Sequence, residues 1–245
     1  MADFSLHSIV LQDGDTTTFS PHVAKTNLDL GIVKLSPETV HYTFHGIRTD
    51  LATETGNSKV TSPTIKLASG EYITDSWVIA EYLDKTHGGL IFGSEAGKEF
   101  ARFLNYWVDN SLAVDLRPLI APFVAKKISK QSYEHKFAPI KDTIDTWTAQ
   151  LSDKEITDKH YTATRAQLAV VEKTLQSKKD AGLKQLFLAG EKPTHADAVV
   201  FGWYAFSRVN PDIEANVWRH ASLPLVGEWL DALFASGVVK KDNLL

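Results

Sequence analysis

No cysteine occurs among the 245 residues of this chain. That excludes disulfides, thiolate metal sites and a cysteine nucleophile, so any thiol chemistry must use a thiol brought in by a substrate. A dominant charge is missing too. Lys and Arg total 26 against 30 Asp and Glu, a formal net charge of −4, and no basic block occurs. Nucleic-acid binding is therefore not the expected role. The longest apolar runs fall far short of a bilayer span, so no membrane insertion is expected. Met1-Ala2-Asp3-Phe4 lacks the basic flank and apolar stretch of a signal peptide, and a cytoplasmic protein is the expectation. The nine histidines lack zinc-ligand spacing, and no metal is assigned.

Hydrophobic residues make up 43% of the chain, enough for a substantial core in one large domain or two small ones. Phe4 to Leu11 reads as a strand, followed by turn chemistry at Asp13-Gly14-Asp15. Ser20-Pro21 opens a helix, with serine at the cap and proline at the first helical position. Val23, Leu28, Leu30 and Ile32 supply its buried side, and Gly31 is the expected stop. Thr39 to Phe44 alternates β-branched and aromatic residues as a second strand, and Arg48 to Gly56 reads as a short helix. Thr61-Ser62-Pro63-Thr64-Ile65-Lys66-Leu67 and Tyr72-Ile73-Thr74 form two strands around a Ser69-Gly70 turn. Proline cannot donate to a ladder, so Pro63 belongs at an edge or after a cis bond. Asp75-Ser76 opens an amphipathic helix whose apolar positions are Trp77, Ile79, Ala80, Tyr82 and Leu83. The order is β-α-β-α-β-β-α.

Beyond Gly88-Gly89 strand signals fade. The expected organisation is a domain over 1–88, a linker over 89–97 and an all-helical domain over 98–245. Phe100, Phe103, Leu104, Trp107 and Leu112 recur at helical spacing, and Pro118 and Pro122 are expected to bend or end that helix. Further helices cover Tyr161 to Leu175, Pro193 to Val209 and Leu223 to Phe234. The charged segment from Lys126 to Lys159 is expected to be helical with loose boundaries. Thr194-His195-Ala196-Asp197 has the form of a reciprocal N-terminal cap and reads as structural rather than as an acid–base pair.

The Pro63-led strand, the hairpin and the run Asp75-Ser76-x-x-Ile79-Ala80-x-Tyr82-Leu83 resemble the glutathione-binding half of cytosolic glutathione transferases. An α/β half followed by a helical half is that family's plan. The resemblance implies an N-terminal thioredoxin-like domain, a C-terminal helical-bundle domain, glutathione as co-substrate and a homodimer. It gives Ser62, before Pro63, the task of offering backbone N–H and C=O to the cysteinyl part of glutathione. It gives Asp75 and Ser76 the γ-glutamyl carboxylate, which a helix N-terminus favours in any case; plain capping is the other reading. Lys59 either pairs with the glycyl carboxylate or is a surface lysine.

Phe19-Ser20-Pro21-x-x-x-Lys25-Thr26 is similar to fungal etherase-like transferases, including the FuA class, and omega-like relatives carry Cys-Pro at that point. Serine cannot form a mixed disulfide. It can stabilise a bound thiolate, and helix N-termini lower a thiol pKa from about 8.5 to about 3.5–7.5. Ser20 is thus the candidate catalytic residue, with capping as the alternative and Thr17 or Thr18 able to share the role. Lys25 faces either ligand or solvent. The first helix of the second domain would line an aromatic electrophile pocket, for which Tyr106, Trp107, Asn110 and Phe123 are candidates, with Ser111 and Arg117 as further polar groups. The leading expectation is a serine-type glutathione transferase acting on aromatic electrophiles, with aryl-ether cleavage as a variant. Its rivals are a non-catalytic carrier of phenolic or other hydrophobic ligands and an interaction protein on the same fold.

Overall fold

The computed structural model describes residues 3–184, 187–239 and 244–245. The first strand, β1, is Phe4–Ile9, and α1 is Pro21–Ile32 with Ser20 as its cap. β2 is Thr39–Tyr42. It stops short of Phe44 because the Thr43 hydroxyl accepts the Gly46 N–H at 3.2 Å and so starts a helix. That helix is α2 (Phe44–Gly46), a π turn (Ile47–Leu51) and α3 (Ala52–Thr55), ended by Gly56 at φ 65. β3 (Thr64–Leu67), β4 (Tyr72–Thr74) and α4 (Ser76–Thr86) complete the first half. The sheet order is β2-β1-β3-β4, with β1 parallel to β2 and antiparallel to β3. Alternate β1 residues such as Leu6 and His7 therefore face opposite sides. This is the thioredoxin-like arrangement.

Ser94 accepts the Gly97 N–H and caps α5 (Glu95–Trp107), so helix begins inside the stretch expected as linker. A π turn (Val108–Leu112) joins α5 to α6 (Ala113–Lys127). Then come α7 (Lys130–Lys136), a 3₁₀ turn (Ala138–Ile140), α8 (Lys141–Gln150) and the long α9 (Lys154–Asp180). α10 (His195–Ser207), a π turn (Glu214–Trp218) and α11 (Pro224–Ala235) close the helical bundle. No helix among the described residues is long and apolar enough to cross a membrane.

Neither the two prolines nor Gly31 marks the last residue of its helix, and packing explains both. Pro118 and Pro122 both lie within α6, which runs on to Lys127. Burial of Leu116, Leu119, Ile120 and Val124 holds the helix together across the missing donors. Gly31 is not the stop either; α1 continues to Ile32 and turns at Lys34, φ 57. Gly31 is small because a Cβ there would lie 2.0 Å from the Val238 carbonyl oxygen, where the C-terminal segment crosses α1.

The two halves join mainly through α1 and α10. Nearly every α10 residue is buried, because one side meets α1 and the others meet the bundle. At Gly202 an added Cβ would lie 2.4 Å from the Pro21 carbonyl oxygen and 2.9 Å from the Lys25 side chain. Gly202→Ala must push the helices apart, an overpacking cost of about 1–3 kcal/mol. Gly227→Ala in α11 meets nothing within 4 Å and gains helix propensity. Urea unfolding of the two variants should give a lowered midpoint for the first and an unchanged or raised one for the second.

Candidate active site

Ser20 sits where the start of α1 opens onto a cavity. Its backbone is extended, and its Oγ accepts the Val23 N–H at 3.3 Å. Thr18 supports the cap: its hydroxyl donates to the Ile9 carbonyl at 2.8 Å and accepts the Ser20 N–H at 3.1 Å. The Thr18 hydrogen is therefore committed, which removes Thr18 as a rival donor. The Ser20 hydroxyl hydrogen has no acceptor among the described residues. A hydroxyl carries one donor, so Ser20 keeps a hydrogen to give. The first turn of α1 holds no acidic residue, and its positive end is left uncompensated.

Ser62 lines the same cavity. The Ser62–Pro63 peptide is cis, and the Ser62 hydroxyl donates to the His7 carbonyl at 3.2 Å. The Asp75 N–H donates to the Pro63 carbonyl at 3.3 Å, which fastens the start of α4 to this turn. Asp75 adopts φ 85, and its Oδ1 accepts the Trp77 and Val78 N–H groups at 2.9 and 3.2 Å. A non-glycine residue held there costs on the order of 1–3 kcal/mol. Ser76 beneath it is buried.

The cavity, about 420 Å³, lies between the two halves. Phe19, Ser20, His22, Phe44, Arg48 and Ser62 line it from the first half. Arg117, Ala121 and Val124 of α6 line it from the second, with Lys136, Phe137, Trp147, Trp203 and Phe206. The rings make a continuous apolar wall: Phe19 lies 5.4 Å from Phe44 and 6.3 Å from Phe206, and Phe44 lies 6.4 Å from Phe137.

A family profile described as "Glutathione S-transferase, C-terminal domain" matches residues 100–233, more than half of the chain. This chain belongs to the glutathione S-transferase family. Solved structures show the same fold over the whole transferase. A glutathione S-transferase of Ceriporiopsis subvermispora in complex with glutathione aligns with TM-score 0.79 at 18% identity, covering 98% of this chain and 100% of that one. The glutathione transferase GSTFuA3 from Phanerochaete chrysosporium gives 0.74 at 18%, covering 98% and 99%. A second C. subvermispora transferase in complex with glutathione gives 0.67 at 21%, covering 97% and 95%.

Several expected positions in this transferase need correction. Tyr106, Trp107, Asn110 and Phe123 do not line the cavity. Tyr106 is 63% exposed, and its carbonyl accepts the exposed Asn110 amide at 2.8 Å. Trp107 and Phe123 are partly buried against the core. Of these four only Phe123 lies beyond the π turn at Val108–Leu112, whose inserted residue rotates the side chains that follow it by about 100°. Arg117, expected as a polar group of the pocket, does line the cavity, with Ala121 and Val124 of the same helix. Lys25 is not a solvated charge. It is fully buried, and its Nζ donates to Asn105 Oδ1 at 2.8 Å. Burial lowers its pKa, opposed by Asp109, Asp75 and Asp29. Lys59 is exposed and outside the cavity lining, where Arg48 stands in the wall and donates to the Val60 carbonyl at 2.8 Å.

His195 does not face Asp197. Its Nδ1 lies 2.8 Å from Asp29 Oδ2 across the α1–α10 contact, and both side chains are buried. Burial raises the Asp29 pKa, and His195 opposes the rise. Asp197 completes the cap with Thr194 and accepts from Leu188 N–H and Trp229 Nε1 at 2.8 and 2.9 Å. Neither residue reaches the cavity.

His22 does reach it, and burial together with Lys25, Arg117 and Lys136 pushes its pKa down to about 3. It is neutral in the folded protein at neutral pH. Between pH 6.5 and about 3 the unfolded chain binds a proton at His22 that the folded chain does not. Stability therefore falls as pH drops through that window. Urea midpoints measured from pH 7 to 4 should decline in the wild type and decline less in His22→Gln; equal slopes would remove this role.

Proposed function

We propose that this protein is a glutathione-dependent conjugating enzyme that presents the glutathione thiolate to aromatic electrophiles in the cytoplasm, where thiols stay reduced. The observation that carries the reading is the uncommitted Ser20 hydroxyl at the start of α1, in one cavity with Ser62 and an aromatic wall drawn from both halves. The solved structures of fungal transferases with bound glutathione support the same ligand here. Ser62 pairs with the cysteinyl backbone beside Pro63. Asp75, Ser76 and the start of α4 take the γ-glutamyl end, and a cation beyond Ser62 takes the glycyl carboxylate, either Lys59 or Arg48.

Chemically, the Ser20 O–H and the N-terminus of α1 stabilise sulfur as thiolate. The sulfur then attacks an electrophilic carbon of a ligand stacked against Phe19, Phe44 and Phe206. Bound proximity supplies much of the rate. An aryl ether is a substrate of the same chemistry when the aryloxide leaves from carbon next to a carbonyl. A charge-assisted hydrogen bond is worth about 1.5–3 kcal/mol. Ser20→Ala should therefore keep glutathione binding by calorimetry and lose about ten- to hundredfold in turnover of an aryl halide, with Ser20→Thr partly restoring it. Binding without turnover of either an aryl halide or a β-aryl ether would favour the ligand carrier, and no binding would end the glutathione reading.

The active species is proposed as a homodimer. Val78 of α4, Phe103 and Tyr106 of α5 and Val114 of α6 are 46%, 62%, 63% and 55% exposed. Glu81 ties α4 to α5 through Lys98 at 2.9 Å, and the dimer reading takes the four apolar groups to share one side of the molecule. A second copy covering that side removes large apolar groups from water. Sedimentation equilibrium should give a dimer for the wild type and a monomer for Phe103→Glu/Tyr106→Glu.

A further inference from the structure

Three cations line the cavity, one from the first half and two from the helical half. Arg48 stands beside Val60, two residues before Ser62, on the side proposed for the tripeptide. Arg117 and Lys136 come from α6 and α7 of the helical half. Neither has a carboxylate partner among the described residues. Each sits by a ring instead: Arg117 is 5.6 Å from the Trp203 ring and Lys136 is 5.5 Å from the Phe44 ring. No Asp or Glu lines the cavity.

Two like charges in one wall repel each other. Partial desolvation, with Arg48 and Arg117 nearby, holds Lys136 below the usual lysine value even though its side chain keeps contact with solvent at the mouth. His22 is neutral and adds no charge. Trp203 supplies an independent sign of a missing acceptor. It is 3% exposed, and its Nε1 has no hydrogen-bond partner among the described residues. A buried indole N–H ordinarily finds one.

We propose that this pocket selects aromatic ligands carrying a carboxylate, with the ring against Phe19, Phe44, Phe137 and Phe206 and the carboxylate at the mouth between Arg117 and Lys136. The Trp203 N–H is the neutral donor of the same subsite. The conjugation of such a ligand rests on the transferase reading above. With an aryl chloride acid, a sulfur lone pair of glutathione thiolate forms the C–S bond at the chlorine-bearing carbon. An ortho nitro group holds the added electron pair, and chloride then leaves with the C–Cl pair. The carboxylate is untouched and serves only recognition.

The test compares 4-chloro-3-nitrobenzoate with its neutral amide as conjugation substrates, and titrates 4-nitrobenzoate by calorimetry without glutathione. Wild-type enzyme should show a KM for the acid about five- to tenfold below that for the amide, the scale of two partly exposed charge pairs. The preference should shrink in about 0.5 M salt, where screening is short-ranged. Arg117→Gln/Lys136→Gln should bring the acid-to-amide ratio close to one and weaken 4-nitrobenzoate binding by a similar factor. Equal KM values in the wild type, or a ratio that survives the double substitution, overturns the proposal. A comparable loss of glutathione affinity in the double variant also overturns it, because the cations would then serve the tripeptide. Binding of 4-nitrobenzoate that depends on Arg117 and Lys136, with no conjugation, upholds the subsite and instead removes the transferase reading.

Discussion

Because Gly202 has no side chain, α10 lies with its backbone against the Pro21 carbonyl at the first turn of α1. The geometry of the cavity follows from that approach. Ser20 immediately precedes Pro21, and Trp203 immediately follows Gly202, so one contact places a hydroxyl from the first half opposite an aromatic ring from the second. Two turns further along, Asp29 meets His195 inside the same seam. Burying such a pair is costly unless it is well bonded, so its value lies in fixing which residue of α1 faces which residue of α10. Lys25 and Asn105 tie α1 to α5 in the same manner.

The site divides its electrostatics by position. Near Ser20 the field comes from the aligned peptide units of α1, with no acidic side chain to cancel it. At the cavity mouth it comes from full charges on long side chains resting on rings, which shelter the stems and leave the heads accessible. His22, which lines the same cavity, is neutral and adds no charge to either. On the proposed reading, a sulfur anion and a carboxylate would be held by different groups.

Local signals were the readable ones. The Ser20 cap, the Pro63 turn, the Asp75 cap and the Thr194-Asp197 box are each made within a few residues, and each formed as its sequence indicates. Contacts across long separations were not readable. The Asp29 partner of His195 is 166 residues away, and the Asn105 partner of Lys25 is 80 away, so an internal lysine in an amphipathic helix looked like an ordinary surface charge. The aromatic wall was hidden for the same reason. Phe19, Phe44 and Phe206 come together only through the tertiary packing of separate elements, and the polar composition between Lys126 and Lys159 masked Phe137 and Trp147.

The C-terminal segment gives Gly31 a further meaning. The Val238 backbone rests on Gly31, while the Arg208 Nε donates to the Leu245 carbonyl at 2.8 Å. A helix from the first half is thus roofed by residues made some two hundred positions later. During synthesis the sheet and its hairpin can pair early, since N-terminal units fold first. The outer face of α1 has no cover until α10 and then Val238 have left the ribosome. A nascent chain paused before that point would present an apolar strip along α1, with Leu28 and Leu30 beside it, to any chaperone or neighbouring chain at the exit site.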